Sequence, residues 1–130
     1  MQAFLYVDLT SDTSFQQPVV EEVHKSLPSV SVLDIDARSD KLLQHYALRL
    51  LREAARAVVC IKAEEHTQDL GSLMPLLEEL FQEGKQRLVL LQGQHPRLQR
   101  IFSARSHVAF KVVTEEEVVQ EVKRYCGELS

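Results

Sequence analysis

Tryptophan is absent from the chain, cysteine occurs twice, and no uninterrupted apolar run exceeds five residues. Two cysteines, Cys60 and Cys126, are too few for a disulfide framework. Cys60 stands in an apolar run and Cys126 near the end of a helical segment, and both read as reduced thiols. Apolar runs this short exclude a membrane-spanning helix. The first residues lack the basic-then-apolar pattern of a signal peptide, so the expected location is cytoplasmic. No GxGxxG follows the first apolar run, which removes the dinucleotide fingerprint. GxxxxGK[ST] and GxSxG are also missing, removing a P-loop and the usual hydrolase elbow. Without CxxC there is no thioredoxin-like redox pair and no ordinary zinc ribbon. No linker, repeat or low-complexity segment interrupts the chain, so residues 1–130 read as one domain.

What is present is ordinary globular composition: 45% apolar and 26% charged residues, with a net charge of −4. That balance does not suggest nucleic-acid binding. The charge is unevenly spread. Residues 1–84 carry seven basic and fourteen acidic side chains, and residues 112–130 carry two basic and five acidic. Between them, Lys85, Arg87, Arg97, Arg100, Arg105 and Lys111 occur with no acid. Such asymmetry marks an anion site, a self-complementary surface, or mere fluctuation along the chain.

Short β-rich runs at 3–7, 30–33, 57–61, 88–91 and 108–113 alternate with segments of helical spacing. The helical stripes are Val19, Val20, Val23 and Leu27, then Leu43, Tyr46, Ala47, Leu50 and Ala54, then Leu73, Leu77, Leu80 and Phe81. A short one holds Leu98, Ile101 and Phe102, and the last holds Val118, Val119, Val122 and Tyr125. Ser39 or Asp40 suits an N-cap, Pro96 a first helical turn, and Thr114 with Glu117 a capping box. Gly84 and Gly127 suit helix ends. Strands that each lead into a helix must be parallel, with right-handed crossovers and helices on both faces. The expected fold is therefore α/β, a three-layer αβα sandwich around a five-stranded parallel sheet. By analogy with other five-unit sheets its order is 2-1-3-4-5, the flavodoxin-like arrangement.

In such sheets ligands bind beyond the carboxyl ends of the strands. Asp8, Thr10 and Ser11 lie in the first such loop, which also holds Asp12. Asp8 and Asp12 have cation-ligating chemistry but read equally as loop and turn residues. Asp34 and Asp36, after the second run, suit ribose hydroxyls or simply end a strand. Glu65, His66 and Asp69 have metal-ligand residue types in an exposed loop, too weak a pattern to name a metal or cofactor. His24 and His45 fall on helix surfaces. His95 opens the fourth helix, with Arg97 and Arg100 in that helix. Free N–H groups and the helix dipole there suit a phosphate-bearing ligand, and a solvated basic face is the alternative. Leu70, Met74 and Leu76 widen the apolar arc of the third helix beyond one stripe, which fits either deep burial or an interface with a protein partner or second copy.

Ala3-Phe4-Leu5-Tyr6-Val7 resembles the first-strand box of TIR domains, and Leu33-Asp34-Ile35-Asp36 their second strand and polar loop. Residues 50–61, through Ala54-Ala55-Arg56-Ala57 into Val58-Val59-Cys60, resemble the stretch before their third-strand loop. Residues 88–91 with Pro96 resemble the fourth strand and the proline after it. The likeness spans most of the chain and consists chiefly of α/β architecture. Catalytic TIR domains are NAD hydrolases with a glutamate on the third helix, which the resemblance carries to Glu78 or Glu79. The family pattern puts that glutamate nearer the helix start, after a Trp-Cys-like pair, where this chain has Met74-Pro75. Receiver domains offer a looser likeness: Phe110-Lys111 resembles their lysine and Asp8 their acidic pocket, but Lys62 stands where the phosphoacceptor aspartate belongs, so the likeness implies a pseudo-receiver. Nucleoside deoxyribosyltransferases share the layout and want a glutamate near Leu76. The resulting expectation is a non-catalytic protein-interaction or regulatory domain. The alternatives are a nucleotide- or NAD-processing enzyme or sensor centred on Glu78, and a phosphate- or metabolite-binding module.

Overall fold

A computed structural model describes residues 2–9, 18–36, 41–64, 74–82, 86–105 and 108–127. Strands and helices alternate along the chain: β1 (Gln2–Asp8), α1 (Pro18–Ser26), β2 (Ser31–Asp36), α2 (Lys41–Glu53), β3 (Arg56–Ala63), α3 (Met74–Leu80), β4 (Gln86–Gly93), α4 (Pro96–Ser103), β5 (Ala109–Val113) and α5 (Glu115–Val122). α5 runs on into a π-helical turn, Lys123–Gly127. The sheet has five strands in the order β2-β1-β3-β4-β5, and every neighbouring pair is parallel. This is the flavodoxin-like αβα sandwich read from the alternation of the two periodicities. No helix among the described residues is long and apolar enough to cross a membrane.

The pleat divides the core into two layers, because successive side chains leave a strand on opposite faces. Ala3, Leu5 and Val7 of β1, Val59 and Ile61 of β3, and Val89 and Leu91 of β4 face α2, α3 and α4. Those helices answer with Ala47, Leu51, Leu77, Leu80, Leu98 and Phe102. Phe4, Tyr6, Val58, Cys60, Leu88 and Leu90 face the other way, against Val19 and Val23 of α1 and Val118 and Val122 of α5. The three central strands are buried on both sides, as parallel strands between helical layers must be. β5, at the edge, is mostly exposed.

The strands run further than their apolar runs. Asp34 and Asp36 belong to β2 rather than to a loop after it, since the ladder pairs Tyr6 with Asp34 and Asp8 with Asp36. Asp8, Lys62 and Gln92 likewise lie in one register row, at or one residue before the ends of their strands. Backbone pairing continues through polar side chains where the sheet reaches its solvated edge.

Tyr46 corrects the helix reading: it is 61% exposed, because the buried face of α2 follows Ala47 and Leu51 and Tyr46 points a sixth of the way round or more from both. Two helix starts agree with the expectation and one helix end does not. Pro96 opens α4. Thr114 donates both its N–H and its hydroxyl to the Glu117 carboxylate, at 3.1 and 3.0 Å. Those two bonds, the backbone one first, hold the Glu117 carboxyl below the usual range. The helix runs through Gly127 in its wider last turn instead of stopping before it. Ser39, Asp40 and Gly84 lie outside the described residues.

Candidate functional site

The strand order reverses between β1 and β3, so the carboxyl ends of these strands and of β4 form the expected crevice. Asp8, 4% exposed, ends β1 there, and Gln92, 8% exposed, is the last residue but one of β4. Beneath them lie Tyr6 and Cys60. The Tyr6 phenol donates to Gln92 Oε1 at 2.9 Å, and the Cys60 thiol reaches the same oxygen at 3.9 Å. Burial pushes the Tyr6 hydroxyl far up, helped by Cys60, Asp8 and Glu115 nearby. Burial does the same to the Cys60 thiol, opposed only by Lys62. Both groups thus stay protonated and neutral. The cluster ties β1, β3 and β4 together and offers no thiolate or phenolate nucleophile. Cys126 is also buried, and its thiol is also pushed up by desolvation. The expected result is that neither cysteine of the folded protein reacts with a disulfide reagent at mildly alkaline pH. Both should react at once in denaturant, as followed by thiolate release.

On the other face of the sheet, His95 is the N-cap of α4 and is 3% exposed. Its Nδ1 accepts the N–H of Leu98 at 3.2 Å. The imidazole therefore takes one of the terminal N–H groups that a bound anion would use. Arg97 and Arg100 are exposed on the same helix, one turn apart.

The rest of the basic segment is dispersed. Arg87 is buried against the carboxyl end of α2. Arg105 lies over the Phe81 ring at 4.2 Å. Lys111 pairs with Glu121 at 2.9 Å. The described cations of this acid-free run thus occupy four separate environments, and Lys85 lies outside the described residues.

Glu78 is exposed on α3, in the helical layer opposite the Tyr6–Cys60–Gln92 cluster. Its neighbour Glu79 is nearly buried and pairs with Arg52 of α2 at 3.1 Å. Leu76 is 2% exposed and belongs to the core, because all of Leu76, Leu77 and Leu80 on this seven-residue helix are drawn onto the sheet. Met74, at its start, remains 41% exposed. Thr10, Ser11 and Leu70 lie outside the described residues, as do Asp12, Glu65, His66 and Asp69. Among the described residues no three His, Cys, Asp or Glu side chains are grouped to hold a metal ion.

Two features were not legible as sites. One is the buried Tyr6–Cys60–Gln92 cluster, whose signal is a glutamine directly after the apolar run 88–91. The other is the exposed pair on α2, Leu42 at 76% and Tyr46 at 61%, four residues apart and hence side by side.

No family model matches the chain, and no curated protein matches it. Among solved structures, it superposes on a chain of the RPS4 and RRS1 TIR domain heterodimer with a TM-score of 0.62. The fold is TIR-like. The match covers 97% of this chain and 96% of the other at 15% sequence identity, so the likeness is one of architecture. It agrees, at the level of the fold, with the TIR-like resemblance read from the sequence.

Proposed function

We propose that this TIR-like chain is a non-catalytic interaction domain that associates with a second domain of the same fold. The observation that carries the reading is the exposed apolar surface of α2, Leu42 and Tyr46, with Met74 on the adjoining α3. Tyrosine and methionine are enriched in interface cores, and large apolar groups this exposed are informative when they cluster. The same helix exposes Lys41, His45, Arg49 and Arg52, with Arg49 paired to Glu53 at 3.0 Å and Arg52 to Glu79 at 3.1 Å. Elsewhere, the first turn of α5 is acidic and exposed, with Glu115, Glu116 and Glu117. The α2 surface carries cations beside its apolar pair, and the α5 turn carries acids. Two copies can therefore meet head to tail, α2 of one against the start of α5 of the next, whereas α2 against α2 would oppose like charges. The solved TIR-like neighbour is itself a heterodimer of two TIR domains.

Light scattering on concentrated protein tests this. The unaltered chain should show a mass that rises with concentration and falls with added salt. The exposed double variant Leu42→Glu with Tyr46→Glu should weaken association about tenfold or more while leaving the melting temperature nearly unchanged. Lys41→Glu and Glu116→Lys should each weaken it, and mixing those two variants should restore part of the loss. A strictly monomeric chain at high concentration would remove the self-association. The same preparation should leave NAD intact on prolonged incubation; turnover abolished by Glu78→Gln would establish the enzymatic alternative instead.

A further inference from the structure

A groove of about 530 Å³ lies at the opposite end of the sheet, under the amino-terminal halves of β3, β4 and β5. Its origin is local. The side of β5 that faces α5 presents Ala109 and Lys111, in register with Leu88 and Leu90 of β4. A short side chain and a solvated one leave α5 standing off the sheet edge. The helix then widens into the π turn Lys123–Gly127, from which Arg124 and Tyr125 line the groove. Single π turns of this kind recur at functional sites.

The lining has two characters. Leu88, Ala109 and the Tyr125 ring give mainly apolar walls. Around them stand three cations, Arg56, Lys111 and Arg124, against one carboxylate, Glu121. Glu121 is shared, 2.9 Å from Lys111 and 3.3 Å from Arg124. The Arg56 guanidinium lies 5.4 Å from the Tyr125 ring centre and is steadied by the Gln86 amide oxygen at 2.6 and 2.9 Å. Pockets of a few hundred cubic ångströms with apolar walls and a few convergent polar groups are the usual form of small-molecule sites. The charge excess selects the sign of the occupant, and the apolar walls exclude one that is polar throughout.

We propose that this groove binds a small amphipathic anion, a carboxylate carried on an apolar body. The carboxylate competes with Glu121 for Lys111 and Arg124, and the apolar body lies along Leu88, Ala109 and Tyr125. The site is independent of the α2 surface.

Titration of the full chain with octanoate, followed by amide chemical shifts, tests the proposal. Saturable shifts are expected at Leu88, Ala109, Lys111 and Tyr125, with none from inorganic phosphate at equal concentration. Arg124→Ala should weaken binding about fivefold. Glu121→Gln should tighten it, because the competing carboxylate is gone, an effect that loss of structure would not produce. Ala109→Trp should fill the groove and abolish binding; if that variant does not fold, Lys111→Glu replaces it. Absence of saturation, equal shifts from phosphate, shifts centred on α2, or binding unchanged by Glu121→Gln and Lys111→Glu would each overturn it.

Discussion

Replacing Gly93 with alanine is expected to destabilise the fold by about 3 kcal/mol or more. Gly93 closes β4 at the candidate crevice, with φ at +111°, a region that side-chain-bearing residues rarely enter. It pairs with Ala63, and a Cβ placed on it would lie 2.2 Å from the Ala63 carbonyl oxygen. That oxygen belongs to the neighbouring strand and cannot rotate away as a flexible side chain would. Either the two strands part or the turn into α4 rearranges, and His95 loses its alignment as the cap of that helix. For a chain of this size the loss corresponds to a fall in melting temperature of roughly 10 °C. Thermal unfolding followed by circular dichroism checks it. An alanine variant as stable as the parent would mean that the backbone at Gly93 relaxes freely.

Replacing Arg87 with leucine is expected to cost about 3–5 kcal/mol, although the new side chain is apolar and the site is buried. The Arg87 guanidinium, 4% exposed, is the cap of α2. Nη2 donates to the carbonyls of Leu51 and Ala54 at 2.6 and 2.9 Å, and Nη1 to those of Gln86 and Ala55 at 2.9 and 3.4 Å. A helix leaves its last carbonyls without internal partners, and the negative end of its dipole favours a cation there. Leucine would strand these oxygens in a site that water enters poorly. Burial opposes the charge of Arg87, pulling its pKa down, so the bonds and the dipole must outweigh a real desolvation cost. Arg87→Lys should recover part of the loss, since an ammonium cannot reach all four oxygens from one point. Urea unfolding of the three proteins gives the ordering Arg, Lys, Leu; equal midpoints for arginine and leucine would contradict the capping role.

The fold was legible because its signals are local and periodic. Alternating runs such as 57–61 and 88–91 announce buried strands, Pro96 marks a helix start, and Thr114 with Glu117 marks another. Strand order does not follow from parallel pairing alone; it is expected by analogy with other five-unit sheets, and the observed order agrees. The site was much less legible, for a physical reason. Arg87 meets Leu51 and Ala54 across more than thirty residues, and Arg105 meets Phe81 across a strand and a helix. A sequence shows that cations share a segment but not that the fold sends Arg87, Arg105 and Lys111 to different surroundings. Tyr46 shows the complementary error: an aromatic at helical spacing was read as core, while the true buried stripe runs beside it through Ala47 and Leu51. Leu76 errs in the opposite sense, being core where an interface was expected.

The central claim is that α2, with the start of α3, docks on the first turn of α5 in another copy. Amide spectra of the unaltered protein over a wide range of concentration test it most directly. Progressive shifts and broadening are expected only at Leu42, Tyr46 and Met74 with their neighbours on one side, and at Glu115 to Glu117 on the other. Spectra that do not change with concentration, or changes centred on Asp8, Gln92 and His95 at the carboxyl ends of the strands, would contradict it.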